Sequence, residues 1–216
     1  MKYTAVIFDW DGVLGMTLHL WIRAYQSELQ QLDLLYTDKT IVEDFFYEFG
    51  KAEQRYPKLD VDAFMSRVHD AMVSHISSLK TYPGAREMLE TFQKNNVAVA
   101  LVSSSPRRLL KEELNVTALE EFFSIIVAGD DVMKHKPDPE PFLNILEIGK
   151  FDPKSTLVLG DSHTDILAAH AARIDSCLFL PKENELFHEF DKLRAARPTY
   201  HVESLSEFSA LIVKAV

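Results

Sequence analysis

Cysteine is almost missing from this chain. Cys177 stands alone among 216 residues, so an intramolecular disulfide is excluded. It lies in the apolar run Cys177-Leu178-Phe179-Leu180 and reads as a buried core thiol, because an unpaired cysteine behaves as a small hydrophobe. Long apolar runs are missing too. No stretch approaches the ~20 apolar residues of a membrane span, and the apolar part of Met-Lys-Tyr-Thr-Ala-Val-Ile-Phe-Asp at the start is too short for a signal sequence. The expected location is the cytoplasm, with no membrane partner. Positive charge is in deficit: 23 Lys and Arg face 33 Asp and Glu, a net charge of -10. Such a surface repels nucleic acid, so none is expected as a partner. An anionic ligand remains possible, because a local cation can outweigh the global field. Repeats and low-complexity tracts are absent as well. What is present, 47% hydrophobic and 26% charged residues, is ordinary for a folded chain with one large domain and a modest insertion.

From residue 83 onward, short apolar runs alternate with helical patterns. Val97 to Val102, Ser124 to Ala128, Thr156 to Leu159 and Asp175 to Leu180 are rich in Val, Ile and Leu, as suits strands buried on both faces of a parallel sheet. Thr4 to Phe8 adds a strand at the start. Ser105-Pro106 and Asp138-Pro139 each place a capping residue before a proline at the first helical position, and Asp152-Pro153 does so for a short turn. Asn95-Asn96 and Gly149 supply stops. The pattern predicts an α/β fold, a doubly wound parallel sheet. Residues 15–82 interrupt it with three amphipathic helices, Leu18 to Leu35, Ile41 to Phe49 and Val61 to Leu79. They read as a small all-helical cap domain, leaving 1–14 and 83–216 as the core, with a hinge at Tyr82-Pro83-Gly84.

In open α/β sheets, ligands bind beyond the carboxyl ends of the strands. The first strand is followed by Asp9-Trp10-Asp11-Gly12, the second by Ser103-Ser104-Ser105, the third by Lys134-His135-Lys136-Pro137, and the fourth by Gly160-Asp161-Ser162-His163-Thr164-Asp165. Each has a bland reading alone. Asp9 and Ser103 suit turns, Lys136 suits a solvated loop, and Asp161-Ser162 suits a helix cap. Four consecutive strand ends supplying carboxylates, a hydroxyl and an ammonium point instead to phosphate-and-metal chemistry.

Here the sequence resembles the haloacid dehalogenase superfamily, in the branch with a helical cap after the first strand that includes phosphoglycolate phosphatases and beta-phosphoglucomutases. Asp9-Trp10-Asp11-Gly12-Val13-Leu14 matches its Asp-x-Asp-Gly-x-Leu signature. Ser103 matches the Ser/Thr ending the second strand, Lys136-Pro137 the Lys-Pro loop, and Gly160 to Asp165 the Gly-Asp-Ser-x-x-Asp motif. The resemblance implies a Rossmann-like core and a magnesium-dependent phosphatase acting on a small phosphorylated metabolite. Asp9 would be the nucleophile, forming an aspartyl-phosphate, and Asp11 the acid and base. Magnesium would be held by Asp9, the backbone carbonyl of Asp11 and Asp161, with Asp165 in support. Ser103, Ser104 and Lys136 would bind the phosphoryl oxygens. The expected assembly is a monomer or weak dimer.

The chain departs from the family pattern in places. Gly15-Met16-Thr17 lacks the acid many capped relatives carry, His135 stands where Gly is frequent, and Arg173 occupies a position often glycine, implying positive φ. A phosphomutase would share Asp9 and Asp11, but Trp21 stands where many mutases have His. A dehalogenase would lack Asp11. A receiver-like signalling module would place its Asp on a later strand and have no cap. Arg23, Lys39, Lys51, Arg55 and Arg67 are cap cations within reach of a substrate, though each reads first as surface charge.

Overall fold

The computed structural model describes residues 2–46, 52 and 54–213. The chain divides into two compact units, Met1–Met16 with Lys80–Val216, and Thr17–Leu79.

The first unit is built on a six-stranded sheet with every pairing parallel, in the order β3-β2-β1-β4-β5-β6. The strands are β1 (Ala5–Asp9), β2 (Ala98–Val102), β3 (Ile125–Val127), β4 (Thr156–Gly160), β5 (Asp175–Phe179) and β6 (Tyr200–Val202). β1 is buried throughout, as its unbroken apolar run demands. One face packs Ile7, Val102, Val127 and Val158 against Phe142, Ile145 and Ala168 from the following helices. On the other, Phe8 meets Phe92 and Phe208 at centroid distances of 6.3 and 5.8 Å. Burying such a phenyl ring contributes about 1.5–3 kcal/mol.

The five expected strands all form, with ends shifted by no more than a residue. The sixth, β6, was not expected. Tyr200-His201-Val202 is a three-residue edge strand with His201 exposed, so it lacks the apolar run that marks the others. Two helix starts also differ. Helices Arg107–Thr117 and Glu140–Gly149 begin after Pro106 and Pro139, which occupy the capping position rather than the first turn. The stop after Glu140–Gly149 is Lys150 at φ 52°, not Gly149. Arg173 does adopt positive φ, at 60°.

The second unit contains α1 (Leu18–Gln31), α2 (Asp38–Phe45) and α3 (Val61–His75). α1 ends short of Leu35 because Asp33 turns to φ 52°. α2 starts before Ile41 because Thr37 and Thr40 form a capping box, each accepting the other's backbone N–H at 3.1 and 2.8 Å. It ends at Phe45, with Phe46 as its cap, and the rest of the stretch expected to be helical, to Phe49, lies outside the described residues. An aromatic cluster fills the unit: Tyr25 stacks on Phe45 at 4.9 Å, and Phe45 meets Phe64 at 5.3 Å. No helix among the described residues is long and apolar enough to cross a membrane.

Candidate active site

β1 runs between β2 and β4, so the residues leaving these three strands are neighbours in space. Asp9 closes β1 in register with Val102, immediately before Ser103. The chain then turns sharply, with the Trp10 carbonyl accepting from the N–H groups of Val13, Leu14 and Gly15. Gly12 takes φ 71° in that turn, a conformation that costs most side chains dearly. At the end of β4, a Cβ on Gly160 would lie 2.3 Å from Cβ of Asp165. The glycine is what lets Asp165 fold back beneath the strand.

The two aspartates of the last motif play different parts. Asp165 is fully buried, and its Oδ2 accepts from the backbone N–H and the hydroxyl of Ser162 at 3.1 and 2.6 Å. Its Oδ1 accepts from Lys136 Nζ at 2.6 Å. The Ser162–Asp165 pair is also the capping box of helix α7 (His163–Ala171), numbered after the helices Ala85–Lys94 (α4), Arg107–Thr117 (α5) and Glu140–Gly149 (α6). The bland capping reading and the functional one thus coexist in one motif. Asp161, directly after β4, accepts from Nε2 of His188 at 2.8 Å through its Oδ2.

Lys136 also donates to Asp9 Oδ1 at 2.9 Å, so its ammonium bridges Asp9 and Asp165, with its side chain only 6% exposed. Asp11 is held from the opposite side. Its Oδ2 accepts from the hydroxyls of Ser103 at 3.2 Å and Ser105 at 3.3 Å, and Ser103 Oγ accepts from the Ser105 N–H at 3.0 Å. Ser105 was not among the expected site residues. Ser104, which was, has an exposed side chain, and His135 is exposed as well. His188 and Asn184 went unnoticed in the sequence because neither follows an expected strand within a motif. They lie among other polar residues between Leu180 and Phe190, and polarity alone is no marker of a site.

Asp9, Asp161 and Asp165 place one carboxylate oxygen each within 4.8 Å of one another, all buried. Burial and then the charges of Asp165, Asp161 and Asp11 push the Asp9 carboxyl well above its ordinary range, with Lys136 the opposing influence. Asp161 is raised by burial and lowered by His188. For Lys136, burial disfavours the cation, but Asp165 and Asp9 outweigh it and raise its pKa. We read the lysine as charged and the carboxylates as short of positive charge. A hard divalent cation fits that deficit: the donors are all oxygen, as magnesium requires, and their charge is uncompensated by one lysine.

The haloacid dehalogenase-like hydrolase family matches residues 6–179. A phosphorylated carbohydrates phosphatase of Thermotoga maritima is 34% identical over 182 residues, covering 79% of this chain and 82% of that protein. The pyrophosphatase PpaX of Oceanobacillus iheyensis is 24% identical, with 98% of each chain covered. Among solved structures, a hydrolase of the family from Deinococcus radiodurans R1, with bound phosphate and sodium, superposes with a TM-score of 0.81 at 23% identity, covering 99% of this chain and 96% of that one. That likeness carries the fold. The six-stranded parallel sheet, the family match and the Thermotoga relative together establish that the chain belongs to the haloacid dehalogenase-like hydrolases, as an enzyme whose relatives include phosphatases.

Proposed function

We propose that this enzyme is a magnesium-dependent phosphomonoester hydrolase working through an aspartyl-phosphate on Asp9. The observation that carries the reading is the buried ammonium of Lys136 spanning Asp9 and Asp165 beside Asp161. That arrangement aims one carboxylate at an incoming phosphoryl group and keeps a cation ready for its oxygens. Asp9, the Asp11 carbonyl and Asp161 would hold magnesium. Both oxygens of Asp165 already accept hydrogen bonds, so its part is to support the site by placing Lys136. Bound there, magnesium would neutralise charge between the nucleophile and the phosphoryl oxygens.

In the first step an Asp9 oxygen forms a bond to phosphorus while the bond to the leaving oxygen breaks, and Asp11 gives that oxygen a proton. In the second, water attacks the same phosphorus, Asp11 takes its proton, and the Asp9–phosphorus bond breaks to free phosphate. The Ser105 hydroxyl holds the Asp11 carboxyl for both transfers, and the Ser103 hydroxyl turns from Asp11 to the phosphoryl group as it arrives. Ser103, Ser104 through its main chain, and Lys136 bind the phosphoryl oxygens. The substrate is a small phosphorylated metabolite met in the cytoplasm by a monomer or weak dimer, and residues 15–82 act as the cap.

The test is phosphate release across sugar phosphates, phosphoglycolate, pyrophosphate and nucleotides, with magnesium and with chelator. Release with magnesium and none with chelator, at unchanged circular dichroism, is the expected result. Full release after exhaustive metal removal would refute the mechanism. Isomerisation of a sugar phosphate without release would make the enzyme a phosphomutase.

A further inference from the structure

Nothing in the reaction above uses the segment that follows β5, yet it carries two buried polar side chains that reach the site. Asn184 is 1% exposed and His188 7%. Asn184 donates through Nδ2 to the Gly12 carbonyl at 2.9 Å and accepts the Tyr82 hydroxyl through Oδ1. His188 donates through Nε2 to Asp161 Oδ2 at 2.8 Å. A stretch of five residues therefore grips the turn after the proposed nucleophile at one point and a proposed metal carboxylate at another. The partners lie 172 and 27 positions away in the chain.

We propose that His188 is a positioning residue that makes the site select magnesium over calcium. The inference rests on the metal reading given above and deepens it. A carboxylate can offer an ion one oxygen or both. Magnesium requires a tight octahedron that one oxygen per carboxylate satisfies, whereas calcium has a larger shell that favours bidentate carboxylates. With Oδ2 of Asp161 engaged by the imidazole, Oδ1 is the oxygen left without that hold and would be the one offered to an ion. Swinging to a bidentate posture would break a buried hydrogen bond and strand an imidazole N–H without a partner. Outer hydrogen bonds of this kind orient metal ligands generally. Asn184 assists from the other side. By holding the Gly12 carbonyl it fixes the peptide next to Asp11, whose own carbonyl is a proposed ligand.

Magnesium and calcium affinities measured by titration calorimetry, without substrate, test the inference independently of turnover. His188→Ala should weaken magnesium binding roughly 10- to 100-fold and weaken calcium less, narrowing the ratio between them. His188→Asn, too short to reach Asp161, should behave the same way. His188→Gln keeps a donor at comparable reach and should recover most of the lost ratio, which a merely space-filling role would not predict. Unchanged magnesium-to-calcium ratios in His188→Asn and His188→Ala, with native circular dichroism, would overturn the proposal. If His188→Ala does not fold, the Asn and Gln pair decides it, and equal ratios in those two would likewise overturn it. Wild-type protein that binds no magnesium at all would instead sink the metal reading, and this inference with it.

Discussion

The two units bury charge in opposite ways. In the sheet-based unit, Asp9, Asp161 and Asp165 crowd together with one lysine among them, an arrangement that leaves negative charge in want of a cation. In the helical unit each buried acid among the described residues has its own arginine. Arg67 Nε meets Glu28 at 3.1 Å, where it donates a hydrogen bond, and Arg55 Nε lies 2.9 Å from Asp44, within ion-pair range though not aligned as a hydrogen bond to that oxygen. Neutralised pairs hold helices together. A concentrated deficit binds something. The same holds for the cap cations, which read first as surface charge: Arg55 and Arg67 are engaged by these acids, and Lys39 pairs with Glu43 at 3.8 Å on the surface. Lys51 lies outside the described residues. Arg23 is exposed on α1 beside His19, whose pKa is lowered by partial burial and by that guanidinium.

If the contrast is real, substitutions in the two units should fail in different ways. The largest effect should come from Asp9→Asn, which keeps the shape of the side chain but cannot attack phosphorus. Phosphate release should fall on the order of 10⁴-fold or more, with the melting temperature no lower than that of the wild type. Removing a carboxylate from a crowded acidic site relieves repulsion, so a stabilised but inactive protein is the expected signature. Turnover near wild type would end the nucleophile assignment. Asp11→Asn should lose about 10²- to 10⁴-fold on alkyl phosphates. It should lose less on aryl phosphates, whose leaving groups need no proton. Equal losses on both would argue against an acid role.

Arg67→Ala should invert that signature. It leaves the buried Glu28 carboxylate with the Gln31 amide but no cation, and should lower stability by about 1–3 kcal/mol, a modest figure because the arginine itself is half exposed. Magnesium affinity measured by calorimetry should not change. A loss of magnesium binding comparable to the loss of stability would erase the distinction drawn between the units.

The smallest and most conditional effect concerns Glu113 on α5. It is fully buried, and neither of its oxygens reaches a hydrogen-bond partner. Burial, then the charge of Asp11, pushes its carboxyl well above the ordinary value, with the Trp10 indole a partial counterweight that stops short of hydrogen-bond geometry. A carboxyl raised in the folded state holds its proton there longer than in the unfolded chain. Its contribution to stability is complete below the unfolded value near 4.5 and is lost as pH rises toward the raised folded value. Each pH unit in that window costs about 1.4 kcal/mol. Glu113→Gln should therefore flatten the pH dependence of the melting temperature above pH 5 and gain most at the alkaline end. Parallel pH profiles for variant and wild type would show that Glu113 does not titrate across the window.

How much of this was legible beforehand follows from the range of each interaction. The sequence by itself determined the strands whose apolar runs are continuous and the helix cap at Asp161-Ser162, because apolar pattern and capping act within a few residues. It also marked Asp9, Asp11, Ser103, Lys136, Asp161 and Asp165 as a set, since each follows a buried strand or its loop. Tertiary structure alone decided the rest. The order β3-β2-β1-β4-β5-β6 sets Asp9 between Ser103 and Asp161. The bend of the Lys136 loop brings its ammonium to two carboxylates, and the segment after β5 delivers Asn184 and His188. β6 pairs at the edge with β5 without an apolar run of its own. These contacts join residues from 27 to 172 positions apart. Local pattern carries no trace of a partner at that distance; only the packing of the sheet and its helices brings the two ends together.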